Sequence, residues 1–389
     1  MVIPSHARCA ILELPLPEDL GLLQAATARF ARAQWPIEKL RAAADGGPAA
    51  GAGYVHAAAE LGWFAALAPE EHGGGTISGT PLLDASVVAV ERGRALQPGP
   101  FVPMNVVVAA LAREGTAKQQ AEILPGLTAG TIVATWVAAG PGGGWETGEA
   151  ISWAPVPGGY ALTGTAVLVQ DADWADLLLV TAGSDEGISQ FLVPAGTAGL
   201  VIRPMRSIDV SRSFCEVELA GVEVGAEALV GAPGEARSAV EHQLEVACLL
   251  SAAETIGTMD QDFELALQYA RDRIAFGRPI GSFQAVKHLL ADTSLLVEAS
   301  RTVADVATRA AGSEGAGPAL ASVAKAYVGE SAVQLGQNCF QVFAGIGFTW
   351  EHDQHLYLRR LTMDAALFGD PAWHRRRLAR SYGLPEATR

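Results

Sequence analysis

Apolar residues recur at helical spacing over residues 20–44 and 53–67, so both stretches are expected to be amphipathic helices. The sequence PEEHGGGTISGTP at 69–81 is too rich in glycine and proline to continue either, and it reads as a loop. Helical spacing resumes at 82–95, 102–113 and 118–124, with breaks at the QPGP of 97–100 and at Gly115. Near Thr131 the period changes. Short β-rich runs follow at 131–137, 160–169, 176–181, 189–193, 200–204 and 214–219, separated by turn residues. Strands at that spacing predict a sandwich or barrel rather than a parallel α/β sheet. From Ser238 onward helical patterns return at 238–271, 283–311, 318–343 and 353–367, four long helices with short connectors. That is the pattern of a bundle.

The chain is therefore expected to be an α+β multi-domain protein. An N-terminal helical domain covers 1–130, a β-barrel-like middle domain covers 131–235, and a C-terminal four-helix bundle covers 236–389. Half of the residues are apolar and 18% are charged, as in an ordinary soluble chain. No uninterrupted apolar run reaches the ~18 residues of a membrane span. The N-terminal MVIPSHARCAILELPLPEDL has no charged segment followed by an apolar one, so no signal peptide is expected and the location is expected to be cytoplasmic. Cys9, Cys215, Cys248 and Cys339 lie too far apart for a zinc site or a disulfide framework, and they are expected to be buried free thiols. A net charge of −15 argues against a nucleic-acid partner, whose binding rests on neutralising phosphates. An anionic ligand must then be held by a local cation or by backbone amides.

One such cation sits in residues 268–292, QYARDRIAFGRPIGSFQAVKHLLAD. A long helix is expected to end near Phe276, a Gly/Pro turn to follow, and a second helix to begin with Ser282 as its N-cap. This stretch resembles the helix–turn–helix R-x-x-F-G…F-Q…A-D of the acyl-CoA dehydrogenase family. In that family the three residues corresponding to Arg273, Phe276 and Gln284 reach across a subunit interface to the FAD of a neighbouring chain. A guanidinium makes charge-assisted bonds to a pyrophosphate, and an aromatic ring supplies an apolar contact. Residues 341–351, QVFAGIGFTWE, with HLYLRR at 355–360, resemble the family's Q-x-x-G-G-x-G-(x)3-E segment. The resemblance gives Gln341 and Gly345 the adenosine of FAD, with Ala344 in place of the first glycine. The same glycines also suit a helix end in left-handed geometry. The wording FTWEHDQHLYLRR is most similar to bacterial members acting on CoA thioesters of steroid side chains and other unusual acyl groups. Looser echoes are LGWFAALAPEEHGG at 61–74, ERGRAL at 91–96, QDADWADLLLV at 170–180 and IDVSR at 208–212, so the resemblance spans nearly the whole chain.

The resemblance implies FAD as cofactor and α,β-dehydrogenation of an acyl-CoA or related thioester, with electrons passed to an electron-transfer flavoprotein. It also implies an oligomer. Two departures open alternatives. Family members hold the flavin ring with T-E-P-x-x-G-S-D and W-I-T-N segments, but here 135–145 read TWVAAGPGGGW and 167–171 read VLVQD. The carboxylate that removes the α-proton is also missing from its two usual places, which are Ala247 and Phe368 or Gly369. Asp370 lies nearby, and Glu241, Glu245 and Glu254 share a helix with Ala247, Glu254 on about the same face. The catalytic residue is thus unassigned, and no metal is expected. The chain is either a homo-oligomeric dehydrogenase or a non-catalytic subunit completing a partner's FAD site in a heterotetramer. A biosynthetic member acting on a carrier-protein thioester is a third expectation.

Overall fold

The computed structural model describes residues 17–44, 50–141, 143–145, 148–312 and 316–384. Local signals set the helices of the first third. The helix expected over 20–44 breaks at Pro36 into α1 (Glu18–Gln34) and α2 (Ile37–Ala44). The helix expected over 53–67 stops early, as α3 (Ala52–Ala59), and turns through Gly62 at φ 78°. Proline at the first position starts α4 (Pro81–Arg94). α5 (Phe101–Glu114) follows, and a Thr116/Gln119 capping box starts α6 (Ala117–Thr128).

The middle strands are β1 (Ala134–Val137), β2 (Ile151–Val156), β3 (Gly159–Gln170), β4 (Leu177–Ser184), β5 (Gly187–Pro194), β6 (Leu200–Pro204), β7 (Phe214–Gly225) and β8 (Leu229–Val230). They form one mixed eight-stranded sheet in the order β6-β7-β3-β2-β4-β5-β8, with β1 parallel to β4. The sheet wraps its own core, in which Leu162, Phe191 and Val217 are fully buried. β2 is not among the runs read as strands in the sequence, and its ISWAPV contains a proline. It nevertheless alternates, with Ile151 and Trp153 turned inward, and Pro155 pairs opposite Tyr160.

The last third is built on α7 (Arg237–Asp272), packed against α8 (Gln284–Ala310), α9 (Gly317–Phe343) and α10 (Gln354–Ala366). A fifth helix not expected from the sequence, α11 (Pro371–Ser381), lies on α9. α7 ends at Asp272, earlier than the expected Phe276, and a tight hairpin of β9 (Ile274–Ala275) and β10 (Arg278–Pro279) follows. Ser282 is not the N-cap of α8. Phe283 occupies that position without a side-chain cap, and the Ser282 hydroxyl is buried with no hydrogen-bond partner among the described residues. Cys215, Cys248 and Cys339 are buried free thiols, and Cys9 lies outside the described residues. Among the described residues no helix is long and apolar enough to cross a membrane.

Every residue of α7 from 243 to 259 is buried, so its polar groups must find partners inside. The most consequential is Glu254. α4 crosses α7 so closely that a Cβ on Gly93 would sit 1.8 Å from the Glu254 carbonyl oxygen, and one on Gly257 would sit 1.9 Å from that of Val90. This contact brings Arg92 Nε to 2.9 Å from Glu254 Oε1. Arg212, on the loop between β6 and β7, donates to Glu254 Oε2 at 2.5 Å and also pairs with Asp364 of α10. Arg360 on α10 binds Asp209 at 2.9 Å and donates to the Gln97 carbonyl at 3.1 Å. Each of these charged side chains is no more than 2% exposed. Burial alone would raise the Glu254 pKa, but Arg212 and Arg92 outweigh it and hold the carboxyl below its ordinary value. One cluster thus joins the N-terminal helices, the sheet and the C-terminal bundle.

Removing one member of a buried ionic cluster leaves uncompensated charge inside. Glu254→Gln should lower the unfolding free energy by roughly 3–5 kcal/mol, read by urea denaturation. A loss no larger than the ~0.5 kcal/mol of a surface substitution would show that the cluster does not hold the three parts together.

Candidate functional site

The five residues singled out in the sequence gather at one end of the bundle. Arg273 follows α7 directly and its backbone N–H still donates to Tyr269 O at 2.8 Å. Its side chain is exposed and has no ion-pair partner among the described residues. Phe276 and Gly277 form the hairpin turn with φ of 52° and 75°, the pair of positive values a two-residue turn of this hand requires. A phenylalanine is strained there, and its ring is 95% exposed. It meets the Phe283 ring edge-on at 6.2 Å, and the Arg278 guanidinium covers Phe283 at 4.1 Å. Gln284 opens α8 and is exposed.

Tyr269 packs on Phe343 with ring centroids 5.0 Å apart, which ties the hairpin to the end of α9. Gln341 is exposed on the last turn of that helix. The left-handed helix end falls on Ala344, at φ 51°, and not on a glycine. Gly345 is exposed, with no atom within 4 Å of where a Cβ would stand. A guanidinium, a bare aromatic ring, two amides and an open glycine therefore face outward together. This set suits an anionic ligand with an aromatic base, presented from outside the chain.

The interior of the same chain is different. Trp136 of β1, Trp145 of the following loop and Phe368 meet in a triangle. The centroids of Trp136 and Trp145 are 6.2 Å apart, those of Trp145 and Phe368 4.9 Å, and those of Trp136 and Phe368 6.5 Å. All three are buried. Trp136 Nε1 donates to Thr181 Oγ1 at 3.0 Å, and Thr181 also accepts from Gln190, which exchanges amide bonds with Gln243 of α7. Phe368 is strained at φ 58°, its carbonyl accepting from His374 Nε2 at 3.0 Å and from Cys248 Sγ at 3.8 Å. Gly369 must be glycine, because a Cβ would lie 2.5 Å from the Trp373 ring. Burial, with Lys325 nearby, pushes His374 down to about 3, and burial pushes Cys248 up to about 12. The imidazole is thus a neutral latch on the loop, and the thiol is inert.

No carboxylate reaches this interior as a free base among the described residues. Ala247 has no group to offer and Phe368 supplies a ring. Asp370 caps α11 by accepting from Trp373 N at 2.6 Å, and its side chain is exposed. Glu254, a helical candidate in the sequence, is bound by two guanidiniums. Glu241 pairs with Arg377, and Glu245 accepts from His242 at 3.1 Å. The hydroxyl of Thr135 donates to the Gln170 carbonyl at 2.6 Å and is turned to the sheet. Two surface clefts of about 390 and 330 Å³, one by Gly329, Asp370 and Arg375, the other by Trp35, Arg94 and Tyr357, do not border Trp136, Ala247 or Phe368. The residues present therefore fit a flavin nucleotide at the outer end and do not fit its ring inside. Sequence reasoning missed the aromatic triangle; its one signal was a tryptophan at the end of a glycine run.

Comparison with known proteins agrees with this architecture. The acyl-CoA dehydrogenase N-terminal domain model matches residues 17–131, and the acyl-CoA dehydrogenase C-terminal domain model matches residues 237–383. The chain is 30% identical over 321 residues to the acyl-CoA dehydrogenase IpdE2 of Mycolicibacterium smegmatis, covering 82% of this chain and 84% of that protein. Among solved structures it is similar to a variant of the Tcur3481–Tcur3483 steroid ACAD, with a TM-score of 0.85 and 26% identity over 94% of this chain and 98% of that one. It is also similar to the ChsE4–ChsE5 complex of Mycobacterium tuberculosis, with a TM-score of 0.85 and 25% identity over 97% of this chain and 100% of that one.

Asp171 follows β3 and is fully buried at φ 51°, with one carboxylate oxygen unpartnered and the other bound by Gln170 Nε2 at 3.0 Å. Burial pushes its pKa up to about 7 from 3.8. The folded chain thus holds this proton more tightly than the unfolded one. The stability it contributes is complete below pH 3.8 and declines until about pH 7, above which the buried charge is a standing cost. Asp171→Asn should therefore stabilise the chain at pH 8 by on the order of 2–4 kcal/mol and change little at pH 4. Equal effects at both pH values, by thermal unfolding, would contradict a protonated Asp171.

Proposed function

The chain belongs to the acyl-CoA dehydrogenase family, whose members are FAD-dependent flavin oxidoreductases, and on that premise we propose that it is the subunit of a heteromeric acyl-CoA dehydrogenase that completes a partner chain's FAD site. The observation that carries this reading is the split itself. Residues suited to a neighbour's FAD face outward, while the two places for the catalytic base hold Ala247 and Phe368. Bound FAD would supply the hydride acceptor for α,β-dehydrogenation of an acyl thioester, and a carboxylate base would take the α-proton. In this assembly Arg273 holds the pyrophosphate, Phe276 and Gln284 pack on the nucleotide, and Gln341 and Gly345 line the adenosine. The general base comes from the homologous partner. Electrons pass on to an electron-transfer flavoprotein, and buried unpaired thiols fit work in a reducing cytoplasm. The likeness to a steroid ACAD supports a bulky CoA thioester as substrate.

Losing a positioned base costs about 10²–10⁴-fold in rate, so the isolated chain should show little or no turnover in a ferrocenium-coupled assay and gain it with a base-bearing partner. Asp370→Asn should change nothing in the complex. Robust turnover by the chain alone, abolished by Asp370→Asn, would overturn this reading.

Arg273→Ala should weaken FAD retention in the complex by roughly 1.5–3 kcal/mol, and Arg273→Lys should restore only part of that, since an ammonium cannot make the two-pronged contact. Unchanged retention in both variants, by flavin release on dilution, would make Arg273 a solvated helix-end cation.

A further inference from the structure

Two of the three rings in the interior triangle have a reason to be where they are. Trp136 projects from a strand and is pinned by Thr181. Phe368 is set by its strained backbone, with its carbonyl latched by His374. Trp145 has neither support. It belongs to the loop after β1, between Gly143 at φ 77° and Gly148 at φ 81°. Its Nε1 is buried with no hydrogen-bond partner among the described residues. A buried tryptophan ordinarily finds a partner for that group, because an unmet donor in the interior is costly. What holds Trp145 is ring contact, 4.9 Å from Phe368 and 6.2 Å from Trp136. Those two rings lie within 13° of parallel, and the indole meets them at tilts of 45° and 51°, so it closes an all-aromatic pocket rather than stacking in it. Ala247, on α7, adds no bulk to the same core.

We propose that Trp145 is a resident plug: its indole fills the apolar space beside Trp136 and Phe368 in which a flavin ring would otherwise lie, so this chain carries no flavin in its own half. The inference rests on the reading above, in which the working flavin belongs to the partner. It adds that the one side chain of Trp145 fills the place of a flavin ring, and that removing this side chain opens a site for a bare isoalloxazine.

The test uses the full-length chain, wild type and Trp145→Gly, titrated with lumiflavin and with FAD. Bound flavin is measured by equilibrium dialysis, with tryptophan emission and Tm alongside. The wild type should bind no lumiflavin and keep its emission unchanged. Trp145→Gly should lose Tm, bind one lumiflavin per chain, and recover Tm as it does. Trp145→Phe, which keeps a ring, should stay near the wild-type Tm and bind none. If the glycine variant does not fold, Trp145→Leu replaces it with the same expectation. A wild-type chain that binds one flavin with quenching of its tryptophan emission would overturn the plug. So would a folded Gly or Leu variant whose Tm ignores lumiflavin. Flavin in this chain's own half, with turnover still dependent on a base-bearing partner, would overturn the plug and leave the partner reading intact. Turnover by the chain alone would overturn the partner reading whatever the titration gives.

Discussion

The buried cluster of Arg92, Glu254, Arg212 and Asp364 is the constraint on which the rest of the structure depends. Four charged groups taken out of water must satisfy one another closely or not at all. Arg92 comes from the N-terminal helices, Arg212 from a loop of the sheet, and Glu254 and Asp364 from two helices of the bundle. Their mutual attraction therefore adds a fixed geometry to a hydrophobic core that itself runs through the N-terminal helices, the sheet and the bundle. Gly93 and Gly257 make the geometry reachable, because any side chain there would hold α4 away from α7. The same cluster removes Glu254 from the chemistry: a carboxylate shared by two guanidiniums is held ionised and has no freedom to take a proton from substrate.

Backbone strain follows a related pattern. Six non-glycine described residues adopt positive φ: Leu96, Leu168, Asp171, Phe276, Ala344 and Phe368. Such conformations persist only where the surroundings over-determine them, and they gather at working sites. Phe276 and Ala344 shape the outward face. Leu168 and Asp171 flank the end of β3, and Phe368 lies beside Trp136 and Trp145 in the interior. Leu96 precedes Gln97, whose carbonyl binds Arg360. The other strained positions thus fall at the outward face, at the end of β3 and in the aromatic interior.

The helices and most strands were legible because their signals are local: a period of 3.6 or 2, interrupted by glycine and proline. The outward residues were legible because hairpin and helix end keep their spacing in sequence. The interior was not. Glu254 was expected on about the same face of its helix as Ala247, yet its partners Arg92 and Arg212 lie 162 and 42 residues away, and no periodicity reports a pairing of that range. Ser282 looked like a helix cap but lies in a tight turn one residue too early. Trp145 in a glycine-rich loop gave no hint that it would end in the core, since only the meeting of β1, α7 and the loop 367–370 creates the space it fills.

The central claim is that this chain and a different, homologous chain share each working flavin. The most direct measurement is the flavin-to-polypeptide ratio of the assembly purified from its native host through a tag on this chain. A shared flavin site requires two different chains in equal amounts and one FAD for every two polypeptides. An assembly of this chain alone, with one FAD in each copy, would contradict it.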